Sequence, residues 1–344
     1  MRTRFFAAFA VVVLLAPAPA GAADRVSVGT TFSMTDLPFF IGEKRGYFRD
    51  ENLEMNFVNF DSAARMIAPL ASGDLDAAAG GPSAGLYNAI ARNIGMRIVG
   101  DKSRAAPGRH SQILLVRKAL IDSGRVKTLA DLKGLKVASA APGSSAMGTL
   151  NRIYQQTGMK ESDIERVYMG FPQQIVALQN GAADVAFPTE PFASEAVRRG
   201  FAVAFMTDDK IYPDHQMSVM LYSDKFRTQR RDAGLRFMRA FLRSVRAQND
   251  SIVDGKLTGK DADEFLTLIA ENTNVKDKVF LRTLTMSYAD DDGRANVESL
   301  KEDFEVFRKE GLIEGKISVD EALDPWFADT AARQLGERSG RSPR

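Results

Sequence analysis

The sequence predicts an α/β protein with two similar lobes. Short apolar runs alternate with residues at helical spacing, a pattern that is typical of βαβ units with parallel sheets. The chain has 344 residues, which is more than one hydrophobic core usually accommodates. One phrase also occurs twice, in the same order and spacing, at Leu70, Gly73, Asp76 and Ala78 and again at Leu178, Gly181, Asp184 and Ala186.

The first half of the pattern reads strand, helix, strand, helix. Asp61 or Ser62 is expected to cap the second helix, and Gly73 stands where a left-handed helix terminus favours glycine. Asp76 then leads into a short buried strand and the loop GGPS. The predicted elements are a strand over 26–30, a helix over 38–45 that stops at Gly46, a strand over 53–60 and the helix that ends before Gly73.

The second half repeats this order. The loop APGSS separates its first strand from its first helix, and Asp184 again leads into an apolar run. The phrase therefore marks one event in each lobe, at which a helix ends and a buried strand begins. The alternative is a generic helix-to-strand connection, because such connections are short and common. The predicted elements are a strand over 135–140, a helix over 146–157 closed by Gly158, a strand over 164–169 and a helix over 173–179.

Two apolar runs bracket the second half and are predicted to be strands that cross between the lobes. They are ILLVRK at 113–118 and SVMLYSDKF at 218–226. Beyond them the pattern becomes helical, so we expect a helical C-terminal region. Two segments there are typical of capping boxes, Asp261 with Glu264 and Ser318 with Glu321.

The N-terminus is typical of a secretory signal peptide. Arg2 and Arg4 precede an apolar run over 5–15, and the small residues that follow fit a cleavage site. This run is far shorter than the ~20 residues that span a bilayer. The sequence has no cysteine, which excludes lipid attachment at the cleavage site, disulfides and thiol chemistry. We expect residues 1–23 to be removed and residues 336–344 to form a disordered tail.

Charge and histidine content exclude several kinds of partner. The chain contains 46 Lys and Arg and 44 Asp and Glu, and loss of Arg2 and Arg4 with the signal peptide would make these numbers equal. A chain with balanced charge has no excess of positive residues with which to bind nucleic acid or an anionic membrane surface. Two separated histidines without cysteine make a poor metal site, and DDDG at 290–293 lacks the spacing of a calcium loop. No metal or other cofactor is therefore predicted.

Four loops form the candidate binding site, because ligands of open α/β sheets bind beyond the carboxyl ends of the strands. Each loop precedes a predicted helix and therefore offers backbone N–H groups and the positive end of a helix dipole. None of the loops contains Lys or Arg, so a small anion would be held by dipoles and hydroxyl groups. The candidate residues are Thr30, Thr31, Phe32, Gly81, Pro82, Ser83, Gly143, Ser144, Ser145, Phe187, Thr189 and Glu190.

The loop APGSS is the strongest of these signals. Gly143 allows the backbone to approach a ligand, while Ser144 and Ser145 either bind the ligand or cap the helix, and the two roles are compatible. The loop lacks the Gly-Lys-Ser/Thr ending of a nucleotide P-loop. Glu190 disagrees with an anionic ligand, so it either points away from the cleft or pairs with the amine of a zwitterion such as taurine.

Several aromatic and basic residues have two alternative roles. An aromatic residue near the four loops either walls the cleft or belongs to the core. The basic residues beside the run at 113–118 either reach a ligand or lie in a solvated loop. The residues in question are Phe32, Phe39, Phe171 and Phe187, and then Arg104, Arg109 and His110.

The chain resembles the periplasmic solute-binding proteins of ABC importers, in the group that serves nitrate, sulfonates, taurine and the pyrimidine precursor of thiamine. The resemblance covers nearly the whole chain after the signal peptide, and the order and spacing of its motifs carry it. The motifs are PFFIGEKRGYFRDENLEMNFV at 38–58, the doubled LxxGxxDxA, TLADLKGLKVA at 128–138 and TEPF at 189–192.

The resemblance implies a two-lobed periplasmic-binding-protein fold of the type II kind, with the ligand between the lobes. Lobe 1 would comprise 24–112 and 219–335, and lobe 2 would comprise 113–218. The implied function is the capture of a small organic anion in the periplasm by a monomer that delivers it to an ABC permease and its ATPase in the inner membrane. No catalytic residue is implied.

Three alternatives remain open at this point. The first is an enzyme on the same two-lobed fold, acting on pyrimidines or small acids, although relatives that use a catalytic cysteine are excluded. The second is a periplasmic sensor that presents its ligand to a receptor. The third is a binding protein for a different type of importer.

Overall fold

Two five-stranded sheets form the framework of the protein, and the computed structural model describes residues 22–338. A short two-stranded hairpin lies outside them. In chain order the strands are β1 (Asp24–Thr30), β2 (Leu53–Asn59), β3 (Ala77–Gly80), β4 (Met96–Ser103), β5 (Ile113–Arg117), β6 (Lys136–Ser139), β7 (Glu165–Tyr168), β8 (Val185–Ala186), β9 (Ala202–Thr207), β10 (Ser218–Ser223), β11 (Ile252–Val253) and β12 (Lys256–Leu257).

Helices cover the sheets and form the C-terminal region. Those before β10 are α1 (Leu37–Lys44), α2 (Tyr47–Asp50), α3 (Ile67–Ser72), α4 (Ala84–Ala91), α5 (Lys118–Asp122), α6 (Ser145–Thr157), α7 (Phe171–Asn180), α8 (Phe192–Arg198) and α9 (Asp208–Ile211). Those after β10 are α10 (Arg231–Asp250), α11 (Ala262–Asn272), α12 (Lys278–Thr283), α13 (Val297–Lys309), α14 (Val319–Ala322) and α15 (Trp326–Leu335). Short 3-10 turns precede α1 and α3 at Met34–Asp36 and Ala63–Met66.

The two sheets share one topology. The first has the order β2–β1–β3–β10–β4, in which β1 is parallel to β2 and β3, and β10 is antiparallel to β3 and β4. The second has the order β7–β6–β8–β5–β9, in which β6 is parallel to β7 and β8, and β5 is antiparallel to β8 and β9. The predicted α/β architecture with two similar lobes is confirmed.

The first copy of the repeated phrase joins α3 to β3. Gly73 ends the helix with φ of 80°, in the left-handed region that glycine adopts readily. The carboxylate of Asp76 accepts a hydrogen bond from the backbone N–H of Ser27 in β1 (3.0 Å) and pairs with Arg230 (2.8 Å). Asp76 therefore fastens the start of β3 to the neighbouring strand.

The second copy repeats this arrangement between α7 and β8. Gly181 ends the helix with φ of 79°. The carboxylate of Asp184 accepts a hydrogen bond from the backbone N–H of Lys136 in β6 (3.1 Å) and pairs with Arg117 (2.9 Å). Because β6 and β8 correspond to β1 and β3, the two aspartates occupy equivalent places, and the phrase is a structural signature of each lobe.

We expect Asp76→Ala and Asp184→Ala each to lower the free energy of unfolding by about 1.5–3 kcal/mol, because each removes hydrogen bonds to a charged group. The two losses should add within about 0.5 kcal/mol, since the residues belong to different sheets. Urea unfolding of the single and double variants measures both quantities. Asp74→Ala, which changes an exposed carboxylate beside the first phrase, is the control and should have little effect. A double variant no less stable than the singles would contradict the equivalence of the two copies.

The chain crosses between the sheets twice, but the runs predicted to cross, at 113–118 and 218–226, do not do so themselves. The crossing backbone lies at 104–112 and 208–217, immediately before β5 and β10, while each of these two strands pairs within one sheet. The apolar runs mark strands that are buried in a sheet, whereas the crossing segments carry polar residues that both lobes cover. The lobe limits implied by the resemblance stay a prediction.

The core of lobe 1 explains the helical C-terminal region. An apolar stripe of α10 is buried there, at Leu235, Met238, Leu242 and Val245. Phe39 is fully buried in the same core, with its ring centroid 5.1 Å from that of Phe241 in α10. Of its two alternative roles, Phe39 therefore has the structural one.

One of the two predicted capping boxes forms. At the start of α14 the hydroxyl of Ser318 accepts the N–H of Glu321, and Glu321 accepts the N–H of Ser318 in return. Asp261 is wrong as a cap, because its φ of 66° turns it away from the first turn of α11. Its carboxylate instead pairs with Arg45 at 3.0 Å, beside Glu264 at 2.7 Å.

The two ends of the chain are described only in part. Residues 1–21 of the predicted signal peptide and residues 339–344 of the predicted tail lie outside the described residues. Arg338, within the predicted tail, donates its backbone N–H to Asp292 (2.9 Å) and pairs with Asp250 (3.1 Å). Over 22–338, no helix has both the length and the apolar character needed to cross a membrane.

Candidate ligand-binding site

A cavity that is partly open to solvent lies between the two sheets, and we call it the inner cavity. The loops that follow β1, β3, β6 and β8 all reach it, which is where the carboxyl ends of parallel strands place a ligand. A molecule held there touches both lobes. Of the predicted site residues, those that line it are Thr31, Gly81, Ser83, Ser144, Ser145, Phe187 and Thr189, and Phe171 joins them.

The other predicted residues lie close to the inner cavity without lining it. Thr30 is fully buried at the end of β1, and Pro82 is buried beside Ser83. Phe32 packs against the core of lobe 1. Gly143 instead contacts the opposite lobe.

Glu190 points away from the inner cavity. One carboxylate oxygen accepts the backbone N–H of Ser194 (3.0 Å) and the other accepts its hydroxyl (2.7 Å), in the first turn of α8. Burial raises the pKa of Glu190 above its usual range, while the bonds from Ser194 oppose that shift. Glu190 therefore stabilises the start of α8, and its carboxylate is not free to bind a ligand amine.

The basic residues of the first crossing segment do not reach the inner cavity. Arg109 is buried and donates to the carbonyl oxygens of Met286 (2.8 Å) and Ser287 (2.7 Å). Arg104 lies 4.8 Å over the ring of Tyr288, and His110 lies beside Asp209. The two arginines hold the first crossing segment against the C-terminal region, and His110 lies against the second crossing segment. Neither of the two expected roles describes these contacts.

The inner cavity contains a lysine that the sequence analysis missed. Lys102, at the end of β4, is only 2% exposed, and its ammonium group pairs with the fully buried carboxylate of Asp36 at 2.9 Å. It also donates to the hydroxyl of Thr35. An ammonium group has three donors, so one N–H remains for a ligand in the cavity that Lys102 lines.

The direction of β4 is the feature that identifies Lys102 as a residue of the site. β4 is parallel to β3, because β10 lies antiparallel between them, so the carboxyl end of β4 reaches the same edge of the sheet. The crossing segments continue from this edge and supply further walls. The remaining lining residues are Ser33, Thr35, Ala63, Ala64, Ala79, Gly80, Ser103, Ser111, Gln112, Ala140, Ala141, Ala146, Met217 and Ser218.

Three buried polar atoms of the lining residues have no hydrogen-bond partner within the described part of the chain. They are the hydroxyls of Ser103 and Ser144 and the side-chain oxygen of Gln112. A buried polar group without a partner costs roughly 1–3 kcal/mol, so native proteins rarely leave several in one place. A polar ligand would satisfy all three.

The start of α6 completes the polar side of the inner cavity. Ser144 stands at the N-cap, but its hydroxyl caps no backbone N–H. The N–H groups of Ser145 and Ala146 have no partner inside the helix, because the first turn of a helix lacks one. The helix is 13 residues long, and its positive dipole end faces the cavity that Ser145 lines.

Backbone hydrogen bonds close the cleft around the inner cavity. The N–H of Ala84 donates to the carbonyl of Gly143 (2.8 Å), so the loops GGPS and APGSS join directly. The N–H of Met34 donates to the backbone carbonyl of Glu190 (3.1 Å), and the N–H of Phe171 donates to the backbone carbonyl of Asp61 (3.2 Å). The structure is therefore the closed form of the two lobes.

A second hollow lies outside the backbone hydrogen bonds that close the cleft, and Thr31 and Phe171 line both this hollow and the inner cavity. We call it the outer hollow. Its walls combine aromatic rings from both lobes, with the rings of Phe171 and Phe192 stacked at a centroid distance of 6.5 Å. Phe32 lies here rather than in the inner cavity. A ligand longer than the inner cavity would extend into this hollow.

Asp208 supports the wall formed by Ser111 and Gln112. One of its oxygens accepts the backbone N–H of Ser111 (3.3 Å), the hydroxyl of Ser111 (3.1 Å) and the backbone N–H of Gln112 (2.9 Å). Complete burial raises the pKa of Asp208 to about 7, although these hydrogen bonds oppose the shift. The carboxyl group thus titrates near neutral pH.

The raised pKa predicts how stability changes with pH. The folded protein binds this proton more tightly than the unfolded chain, in which an aspartate has a pKa of about 3.9. The contribution of Asp208 to the free energy of unfolding is therefore full below pH ~4 and is lost as pH rises through ~7. We expect Asp208→Asn to reduce the loss of stability between pH ~5 and ~8 by a few kcal/mol. Thermal unfolding across this range measures it, with the exposed Asp263→Asn as control. A variant with the wild-type pH dependence would contradict the assignment.

Within 22–338, no group of three or more His, Cys, Asp or Glu side chains lies close enough together to hold a metal ion. The residues that line the inner cavity contain no His, Asp or Glu, and they include one charged side chain, Lys102.

Comparison with proteins of known sequence identifies a relative whose name refers to sulfonate binding. An Escherichia coli (strain K12) protein assigned as an aliphatic sulfonates-binding protein is 29% identical over 147 residues. That match spans 43% of this chain and 43% of the relative.

Solved structures share the fold over nearly the whole chain. The periplasmic nitrate-binding protein NrtA from Synechocystis PCC 6803 matches with a TM-score of 0.75 and 14% identity, covering 91% of this chain and 89% of that one. The alkanesulfonate-binding protein SsuA from Xanthomonas axonopodis pv. citri, bound to MOPS, matches with a TM-score of 0.69 and 17% identity, covering 89% and 99%. The predicted periplasmic-binding-protein fold is confirmed.

An enzyme also shares this fold. The desulfurization enzyme DSZB matches with a TM-score of 0.59 and 16% identity, covering 91% of this chain and 99% of that one. The fold by itself therefore does not separate binding proteins from enzymes.

Family membership rests on the sequence. The model of the NMT1-like family matches residues 20–252, which include both sheets and every loop around the inner cavity. The chain belongs to the NMT1-like family.

Proposed function

We propose that this protein is the substrate-binding component of an ABC import system and captures a small organic anion, such as a sulfonate or carboxylate, between its lobes. The observation that carries the proposal is the lining of the inner cavity. Ten hydroxyl side chains and one lysine line it, and no carboxylate does. Hydroxyl and ammonium donors bind anionic oxygen atoms, and the dipole of α6 adds to their attraction.

The relatives support the same class of ligand. NrtA is named for nitrate, and SsuA is named for alkanesulfonates and holds the sulfonate MOPS. Nitrate and sulfonates are monovalent anions with three oxygen atoms around a central atom. The aromatic rings of the outer hollow suit the apolar part of an organic anion.

The lining residues also favour binding without conversion. They include hydroxyl groups and Lys102 but no Cys, His, Tyr, Asp or Glu, so the hydroxyls lack the histidine or carboxylate that usually activates such a nucleophile. Lys102 is already paired with Asp36. We infer that the ligand leaves chemically unchanged, which separates this protein from an enzyme on the same fold. Mass spectrometry of the ligand after prolonged incubation tests this point, and recovery of a new product would overturn it.

Export and delivery follow from the same proposal. The predicted signal peptide and the periplasmic names of the structural relatives support a periplasmic location. The remaining parts of the proposal are a monomeric protein, delivery of the ligand to a membrane permease with its ATPase, and no contact with nucleic acid. Loss of uptake in a strain without this protein, restored by its expression, would separate import from a sensor role.

A thermal-shift panel followed by calorimetry tests the ligand class. The panel contains alkanesulfonates, nitrate, aromatic carboxylates and pyrimidine precursors, because a ligand at 100 times its dissociation constant adds ~2.7 kcal/mol of stability. With a ligand found, Ser144→Ala and Ser145→Ala should each weaken binding by about 1.5–3 kcal/mol. Ser123→Ala changes an exposed serine away from the cavity and is the control. Unchanged affinity in both cavity variants, or a cationic ligand, would contradict the proposal.

A further inference from the structure

We propose that the inner cavity selects monovalent anions that carry no amine group in the part that it encloses. This inference rests on the proposed function, because it takes the ligand to be an anion, and it adds which anions are accepted. It depends on the number of charges around the cavity and on where each nearby carboxylate points.

The charges around the inner cavity already balance before a ligand enters. Lys102 is the one charged side chain among the lining residues, and the buried carboxylate of Asp36 lies 2.9 Å from its ammonium group. One negative charge on a ligand can use the remaining N–H of Lys102 together with the hydroxyl donors. A second negative charge would find neither a counter-charge nor a further ammonium N–H, and such an unpaired buried charge is strongly unfavourable.

The carboxylates of Glu190 and Asp208 lie beside residues that line the inner cavity, but neither lines it. Both oxygens of Glu190 accept hydrogen bonds from Ser194. Asp208 accepts from Ser111 and Gln112. Its other oxygen has no hydrogen-bond partner within 22–338, and it is buried behind the cavity wall. A ligand ammonium group would therefore be buried against hydroxyls alone, without a carboxylate to compensate its charge.

Asp36 offers no free oxygen. One oxygen is paired with Lys102, and the other accepts the backbone N–H groups of Thr31 (3.2 Å) and Ser33 (3.0 Å).

The unpartnered polar atoms fit the same ligand. The hydroxyls of Ser103 and Ser144 can each donate to an anionic oxygen. The amide of Gln112 presents a donor after a half-turn about its last bond, since its oxygen and nitrogen are interchangeable in shape. These groups accommodate an anionic head and provide no full negative charge for an amine.

Calorimetry on the purified protein with matched probes tests the inference. Propane-1-sulfonate is compared with 3-aminopropane-1-sulfonate and propane-1,3-disulfonate, and butanoate with 4-aminobutanoate and pentanedioate. These short chains keep the added group within a few bonds of the anionic head. We expect the amine and the second anion each to weaken binding by at least about tenfold in both series.

A variant isolates the charge balance. Asp36→Asn leaves the charge of Lys102 without its buried partner, so the affinity of the disulfonate relative to the sulfonate should rise by at least about tenfold. Asp263→Asn makes the same change in net charge at an exposed position and should leave this ratio unchanged. Because the result is a ratio of two affinities, a general loss of affinity in the variant cancels. If Asp36→Asn does not fold, the probe series on the wild-type protein still tests the inference.

The outcomes separate this inference from the proposed function. Binding of the amine-bearing or divalent probe as tightly as the simple anion would overturn the inference and leave the anion proposal standing. Binding of propylamine by a protein that binds neither sulfonates nor carboxylates would overturn both.

Discussion

Replacing Gly143 with alanine is expected to weaken ligand binding by roughly 10- to 100-fold while both lobes stay folded. A Cβ atom at this position would lie 2.5 Å from the Cβ of Ala84 and 3.3 Å from Leu312, which belong to the opposite side of the cleft. Overlap of this kind costs about 1–3 kcal/mol in a packed interior. The overlap exists only when the lobes are closed, so the variant shifts the balance toward an open form.

Gly158→Ala is the matched control for this prediction. Gly158 ends α6 in the same lobe with φ of 74°, close to the φ of 57° at Gly143, but no atom lies within 4 Å of the Cβ that it would gain. Both variants carry the conformational cost of a left-handed alanine, about 1–2 kcal/mol. We expect only Gly143→Ala to lose affinity.

Calorimetry and small-angle scattering measure the two consequences. The wild-type protein and Gly158→Ala should contract when ligand binds, because a ligand that touches both lobes favours the closed form. Gly143→Ala should keep the larger radius of gyration at the same ligand concentration. Wild-type affinity and contraction in Gly143→Ala would show that the contact between the loops GGPS and APGSS is not part of the bound state.

Replacing Lys102 with methionine is expected to lower the free energy of unfolding by about 3–5 kcal/mol, because it leaves a buried carboxylate without its partner. Asp36 is fully buried, and Lys102 supplies its only ion pair among the described residues. Lys118→Met is the control. Lys118 pairs with Asp122 on the surface, where an ion pair contributes about 0–1 kcal/mol.

The double variant Lys102→Met with Asp36→Asn separates stability from binding. It removes both charges, so it should recover most of the stability that Lys102→Met loses. An asparagine oxygen can still accept the N–H groups of Thr31 and Ser33. Binding of an organic anion should nevertheless fall by about 1.5–3 kcal/mol, since the ammonium donor is gone.

Urea unfolding and calorimetry on the same variants test both parts. A Lys102→Met protein as stable as the wild type would show that the pair with Asp36 is not a buried ion pair in solution. Wild-type anion affinity in the double variant would remove Lys102 from the binding site.

The sequence by itself determined the two-lobed architecture and four of the walls of the cleft. These features depend on local chemistry. Gly73 and Gly181 end helices because the left-handed region favours glycine, and Asp76 and Asp184 each bind the strand beside them. Once strands alternate with helices, the loops at their carboxyl ends follow from the direction of the chain. The sequence therefore places Ser83 and Ser144 beside the cleft, and both line the inner cavity.

Only the tertiary structure decided the electrostatics of the site. Lys102 and Asp36 are distant in sequence and meet because β4 takes its place beside β10, a pairing that no local pattern specifies. Glu190 turns to Ser194, and Arg109 turns to two backbone carbonyls, because packing against α8 and the C-terminal region offers them better partners than the cleft. Ionisable groups interact over distances that depend on the whole fold, whereas helix ends and strand starts depend on a few neighbouring residues.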